Sequence, residues 1–291
     1  MPEAPRPGGE DGGESGVGEF YDRITEVMVA AMGGFLHGGY WEGPDDPSTV
    51  EEAGARLTDF VSDRLRLTPG ARVLDVGSGN GKATAHIAAR HGVRVTGITI
   101  SPQQVRQAGD LVRARGLADS VGFEVHDMLA LTFPDASFDA AYAIESACHA
   151  QDRTDVFAGL ARVLRPGGLL TVTDFVLLRP LESDEHRALV EAANKNFQQG
   201  PMLTQDEYEA CVRAAGLEVV EFVDIGEFVR PSYRIVGGNL ARSWEALKGL
   251  VSEEEFHYMV EDLSRFGDIT ELGYAVVTAR RPGPRTAEGR I

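Results

Sequence analysis

The 291-residue chain is 43% hydrophobic and carries a net charge of -17, which suits a packed globular core and excludes general disorder. That acidity, with no cluster of Lys or Arg, argues against a protein that wraps a phosphate backbone. Cys148 and Cys211 form no metal-ligand spacing, no apolar run approaches the ~18 residues of a membrane span, and the N-terminus lacks a signal-peptide layout. The chain therefore reads as cytoplasmic, with no metal, membrane or nucleic-acid partner expected.

Residues 1–18 are rich in Gly, Pro and Glu and are expected to be disordered, as is a flexible tail over 282–291. Apolar residues recur at helical spacing over 20–32, and a Gly-rich aromatic segment follows, Gly33-Gly34-Phe35-Leu36-His37-Gly38-Gly39-Tyr40-Trp41. A helix is predicted over 48–65, opened by Ser48 with Glu51 three residues on. From there strand and helix patterns alternate. Strands are predicted over 72–76, 93–100, 121–126, 138–144 and 169–175, and helices over 82–90, 101–115 and 153–164, with Arg165-Pro166-Gly167-Gly168 as a turn. Such spacing implies right-handed crossovers, a mostly parallel sheet and helices on both faces.

After residue 175 the pattern loosens. Helical character over 178–199 is followed by a helix over 204–215 opened by Thr204 and Glu207, a strand over 218–223, helices over 232–250 and 252–266, and a last strand over 271–279. The expectation is an α/β, Rossmann-like fold with a seven-stranded sheet. It would comprise an N-terminal helical lid (19–66), a ligand-binding core (67–180), and the remaining strands with a late helical cap insertion (181–281).

The chemistry concentrates at the strand ends. Val73-Leu74-Asp75-Val76 runs into Gly77-Ser78-Gly79-Asn80-Gly81, so three glycines at alternate positions separate a buried strand from a helix. Without Cβ atoms the backbone can turn sharply and approach a ligand, and amides at the helix start can face polar groups. The spacing is G-x-G-x-G, not the G-x-G-x-x-G of dinucleotide-binding enzymes. With Asp75 just before the first glycine, it points to S-adenosylmethionine (SAM). The second strand ends at Thr99-Ile100-Ser101, the third at His126-Asp127-Met128 and the fourth at Ile144-Glu145, all on the carboxyl edge where such sheets bind ligands. Asp127 is suited to accept from an adenine amino group, with Met128 and Ile100 against its faces.

At these residues the chain resembles the class I SAM-dependent methyltransferases over about residues 21–280. The match of Asp75 through Gly81 to the family's glycine motif implies contacts to the methionine part of SAM, from Asp75, Gly77, Ser78, Gly79 and Gly81. Many members carry an acid at the end of the second strand; here Thr99 and Ile100 stand there, followed by Ser101-Pro102-Gln103-Gln104. That wording is similar to the branch of cyclopropane fatty acid synthases and natural-product methyltransferases, which implies that Gln104 reaches the ribose. Thr99, Ile100, Gln104, Asp127, Met128 and Glu145 thus join the cofactor site, with Tyr21 and Tyr40 from the lid. The product would be S-adenosylhomocysteine (SAH).

A narrower resemblance, to bacterial sugar O-methyltransferases of the rebeccamycin type, rests on Leu36 through Trp41, on Ile144-Glu145 through His149, and on Thr173 through Leu178. It implies His149 as catalytic base and Asp174 as its partner, while Cys148 replaces the first of the group's two adjacent histidines. A histidine near its ordinary pKa of ~6.5 can remove a hydroxyl proton as methyl transfer proceeds, and a carboxylate can fix its tautomer. His37, Trp41, Cys148, Phe197, Met202, Phe228, Tyr233 and Trp244 are candidate contacts to a bulky acceptor. These residues equally suit ordinary packing. His86, His91, His186 and His257 read as surface or packing residues. The expected activity is O-methylation of a sugar or polyketide-type small molecule by a monomer or homodimer. Alternatives are N-methylation, a cyclase that retains SAM without methylating, and a SAM-binding regulatory module.

Overall fold

The computed structural model describes residues 28–43, 45–248 and 251–283. Among the described residues eight strands form one sheet: β1 (Arg72–Val76), β2 (Arg94–Thr99), β3 (Val121–Val125), β4 (Phe138–Ile144), β5 (Leu164–Leu177), β6 (Leu203–Thr204), β7 (Glu218–Asp224) and β8 (Leu272–Arg280). Their order is β3-β2-β1-β4-β5-β8-β7, with two-residue β6 paired to β5. Strands β3 through β5 run parallel, and β8 lies antiparallel to both β5 and β7. Chain order reverses between β1 and β4, which makes their carboxyl ends the switch point of the sheet.

Strand alternation divides the core. Leu74 and Ala141 face Phe157, Leu160 and Tyr208 on one side, while Val73 and Tyr142 face Val61, Ile87 and Val95 on the other. The helices that cover these faces are α1 (Val50–Arg64), α2 (Lys82–His91), α3 (Pro102–Ala114), α4 (Arg153–Val163), α5 (Asp184–Asn196) and α6 (Gln205–Ala214). Helix α1 opens one residue later than predicted. Thr49 accepts from the Glu52 amide and Glu52 reaches back to the Thr49 amide, while Ser48 donates its amide to Asp46. Helix α3 is capped by Ser101 with Pro102 in its first turn, and α6 by Thr204 and Glu207 as expected.

One other reading needs correction, while the turn predicted at Arg165–Gly168 is present. It interrupts β5: Gly167 lies at φ +84°, and the pairing with β4 passes from Leu164 directly to Leu169, where the pairing with β8 begins. The two long late helices are broken into shorter pieces. After a one-turn α7 (Gly226–Val229) outside both, these are α8 (Pro231–Arg242), α9 (Trp244–Leu247), α10 (Glu253–His257), a π-helical turn at Tyr258–Asp262, and α11 (Leu263–Phe266). A separate apolar cluster, including Leu189, Val190, Val236, Leu240 and Phe266, joins α5, α8 and α11 to Met28 and Ala31 from the helical residues 28–31.

Candidate active site

Beyond β1 the chain passes through Gly77, Gly79 and Gly81 at φ +78°, +52° and +79°, a region L residues rarely adopt. Space as well as φ demands glycine here. A Cβ on Gly77 would stand 2.2 Å from Ser146, and one on Gly81 would meet Ala108 and Phe123 at 2.7 Å. The Gly77 and Ser78 amides donate to the Ile98 carbonyl, and Gly81 to Ser78. The Gly79 and Asn80 amides have no such partner among the described residues. The loop also holds the N-terminal segment: Asn80 donates to the Gly34 carbonyl at 2.8 Å, and Lys82 bridges the Gly33 carbonyl and Glu51 at 2.7 Å each.

Two cavities open at this carboxyl edge. The first, about 810 Å3 including its solvent-open part, is lined by Gly77, Gly79, Thr99, Ile100, Gln104, Asp127, Met128, Glu145 and His149, among others. Gln104 is buried, and its Oε1 accepts from Thr99 Oγ1 at 2.7 Å. Its amide nitrogen donates to none of the described residues and is not a sealed, unsatisfied atom. Asp127 uses Oδ1 to accept the Leu129 amide at 2.8 Å. The second cavity, about 900 Å3 counted the same way, lies under α5, α8 and α11. Its walls include Met32, Phe175, Phe197, Val236, Leu263 and Phe266, and among the described residues its polar groups come from Glu145, Gln199, Ser232, Tyr233 and backbone. Leu36 and Glu145 line both cavities.

Residues 74–172 match the family model for a methyltransferase domain. The chain is 39% identical over 268 residues to the O-methyltransferase resE of Aspergillus sclerotiorum, covering 91% of this chain and 96% of that one. It is 37% identical over 269 residues to 27-O-demethylrifamycin SV methyltransferase of Amycolatopsis mediterranei (strain S699), with coverage of 91% and 97%. Among solved structures it resembles the [4+2]-cyclase SpnF with a TM-score of 0.80 and 31% identity, covering 92% and 96%. The chain belongs to the class I SAM-dependent methyltransferases.

The residues of the first cavity fit this methyltransferase's cofactor. Gly77 and Gly79 leave room for close approach, Gln104 carries an amide nitrogen not spent on any of the described residues, and Ile98, Ile100 and Met128 offer apolar walls. Not every residue expected at SAM lies there. Asp75 sits below the loop, where it accepts from Thr84 at 2.5 Å, and burial pushes its carboxyl up to about 6. Asp75, Ser78 and Gly81 do not line the cavity. The Ser78 side chain packs over Gly97, and its hydroxyl is buried without a partner. Tyr40 is stacked between Phe60 and Phe228, at 5.3 and 4.8 Å between centroids, also away from it. Tyr21 lies outside the described residues.

The expected pairing of His149 with Asp174 is absent. Asp174 is buried and bound to Arg153 Nε at 3.1 Å and to the Phe175 amide at 2.8 Å. Arg153 is equally buried and also donates to the Ala150 carbonyl. Burial raises the Asp174 carboxyl, with Arg153 opposing. His149 lines the cofactor cavity only, and its Nδ1 donates to the Gln198 carbonyl at 3.2 Å, which puts the lone pair on Nε2. Burial lowers its pKa, so the imidazole is neutral at pH 7.

Of the expected acceptor contacts, Phe197 and Tyr233 line the second cavity, whereas His37, Trp41, Cys148, Met202, Phe228 and Trp244 do not. His37 is buried between the Gly38 carbonyl and Thr58, its pKa lowered to about 4 by desolvation. Trp41 and the Gly39 amide both donate to Ser232 Oγ, at 3.0 and 2.8 Å, which ties the Gly-rich segment to α8. Met202 packs in the cap core and Trp244 against Phe256. The Cys148 thiol is buried, and desolvation pushes it well up. Sequence reasoning missed Leu36, His126, Ser146 and Phe175 as lining residues, although each adjoins or lies within a motif it quoted.

Proposed function

We propose that this methyltransferase of bacterial secondary metabolism methylates a hydroxyl on a bulky, largely apolar acceptor of polyketide type, as a monomer or homodimer. The observation that carries this reading is the junction of the cofactor and acceptor cavities at Leu36 and Glu145. The activities for which the relatives are named, O-methylation and methylation of 27-O-demethylrifamycin SV, support a hydroxyl as the nucleophile. The mostly apolar acceptor walls favour a polyketide body over a bare sugar, whose hydroxyls would lack partners there.

When bound, SAM supplies an electrophilic methyl on a sulfonium, and the C–S electron pair leaves with sulfur as SAH goes out. The protein aligns the hydroxyl with that methyl, excludes water and takes up a proton. In this reading residues 28–43 and 45–66, the described part of the expected N-terminal lid, act as a lid and the late helices as the cap. Glu145 and His149 stand at the reacting edge, His149 on the cofactor side. Gly77, Gly79, Thr99, Ile100, Gln104, Asp127 and Met128 hold the cofactor.

The test is SAH formation in the presence of 27-O-demethylrifamycin SV and other hydroxylated macrocycles. Formation of one SAH per acceptor consumed supports the reading. Acceptor conversion without SAH would favour a second one, a cyclase that keeps SAM unreacted, which draws support from the likeness to SpnF.

A further inference from the structure

If the reaction is transfer to a hydroxyl, on which this inference rests, something must receive the hydroxyl proton within the acceptor cavity. Among the described residues only two titratable side chains line that cavity, Glu145 and Tyr233. Desolvation drives the Tyr233 phenol well above its ordinary range, so it is fully protonated near neutrality and offers no base. Ser232 and Gln199, the other polar side chains there, do not titrate. His149 belongs to the cofactor cavity wall alone.

Glu145 is held in an unusual way. Its backbone lies at φ +49°, a left-handed conformation that costs a non-glycine residue energy and is found at functional sites. A closed set of hydrogen bonds stabilises it. The Glu145 amide donates to Thr173 Oγ1 at 3.0 Å, and the Thr173 hydroxyl lies 2.9 Å from Tyr274 Oη. Tyr274 Oη in turn donates to Glu145 Oε1 at 2.7 Å. The Gly38 amide gives Oε1 a second bond at 2.8 Å. Oxygen Oε2 accepts nothing from the described residues and is not a sealed, unsatisfied atom. One carboxylate oxygen is thus clamped by β8 and the N-terminal segment, and the other is left for the space both cavities share.

We infer that Glu145 is the general base of the reaction, its Oε2 taking the proton from the acceptor hydroxyl. The O–H electron pair stays on oxygen, an oxygen lone pair forms the new bond to methyl, and Oε2 carries the proton to solvent after product release. The titration of Glu145 suits the task. Burial pushes its carboxyl up to about 7, with the Gly38 amide and Tyr274 hydroxyl opposing and Asp174 adding to the rise. The groups that face it are Thr173 and Asp174 from β5, Cys148 from the turn after β4, Tyr274 from β8, and Tyr233 from α8. Of these, Asp174 is paired with Arg153 at 3.1 Å. A cation bound in the adjoining cavity favours the charged carboxylate, so the cofactor's sulfonium would ionise the base before transfer.

Two measurements test this. In protein labelled with carboxyl-13C glutamate, the resonance missing from Glu145→Gln reports Glu145 directly. It is expected to titrate near 7 with SAH bound and at lower pH with the cationic analogue sinefungin. Titration in the ordinary carboxylate range with SAH, or the same midpoint with both ligands, overturns the inference without any acceptor. In single turnover with 27-O-demethylrifamycin SV and SAM held saturating for each protein, Glu145→Gln should react on the order of 100-fold more slowly and lose the rise in rate with pH. An unchanged rate and pH profile would overturn the base assignment while leaving methyl transfer intact. Failure of the wild type to form SAH while it converts acceptor would instead sink the hydroxyl-transfer reading, and the resonance titration would still stand.

Discussion

Glu145→Gln should stabilise the protein, increasingly from about pH 4.5 to pH 7 and fully above it. The Glu145 carboxyl is raised from 4.5 to about 7 chiefly by desolvation. The native state therefore holds its proton more tightly than the unfolded chain does. Because the folded value is the higher one, the ionised form disfavours folding. The penalty is absent below pH 4.5, grows as pH rises toward 7, and is complete above it. At about 1.4 kcal/mol per pKa unit it reaches about 3 kcal/mol, a large part of the ~5–15 kcal/mol that keeps a domain folded. Glutamine has nearly the same shape, and its carbonyl oxygen can keep accepting from Gly38 and Tyr274. Urea unfolding of the cofactor-free proteins at pH 4.5 and pH 8 measures the effect. Other buried groups, such as Asp75, are common to both proteins and largely cancel in the difference. Equal stability differences at the two pH values, or a destabilised variant at pH 8, would refute the reasoning.

Arg153→Met should cost about 3–5 kcal/mol, because it strands the buried Asp174 carboxylate, and Asp174→Asn added to it should recover most of that loss. A loss below 1 kcal/mol by urea unfolding would show that the pair is dispensable. Gln104→Ala should weaken SAM binding about fivefold, the value of a single hydrogen bond of ~1 kcal/mol; calorimetry checks this, and an unchanged dissociation constant counts against the ribose contact. His149→Ala should retain the rise in rate near pH 7 that Glu145→Gln abolishes. Disappearance of that limb from the His149→Ala profile would return the base role to His149.

Features that depend on local covalent constraints were legible in the sequence. Gly77 and Gly79 stand where backbone needs positive φ, and Gln104 and Asp127 follow strand ends whose alignment the βαβ rhythm dictates. Partners set by tertiary packing were not. Arg153 lies 21 residues before Asp174 and meets it only because α4 packs beside β5. Nothing local distinguishes that carboxylate from one waiting for His149. The same holds for aromatics: Phe197 and Tyr233 face the acceptor cavity while Phe228, Trp244 and Tyr40 pack on one another or on neighbouring rings, and helix rotation decides which. By contrast, the Pro-Gly-Gly content of Arg165–Gly168 marks the turn that interrupts β5, where Gly167 takes φ +84°. Glu145 was visible at the end of β4, but its membership of two cavities emerges only once the cap closes over it.

The central claim, methyl transfer to a hydroxyl at the joint of the two cavities, is tested most directly by following the methyl carbon. Wild-type protein would be given SAM labelled with 13C in its methyl group and 27-O-demethylrifamycin SV, and the product carbon identified by NMR. The account predicts a single labelled methoxy carbon and an equal amount of SAH. A labelled N-methyl or C-methyl carbon, or converted acceptor with the label still in SAM, would contradict it.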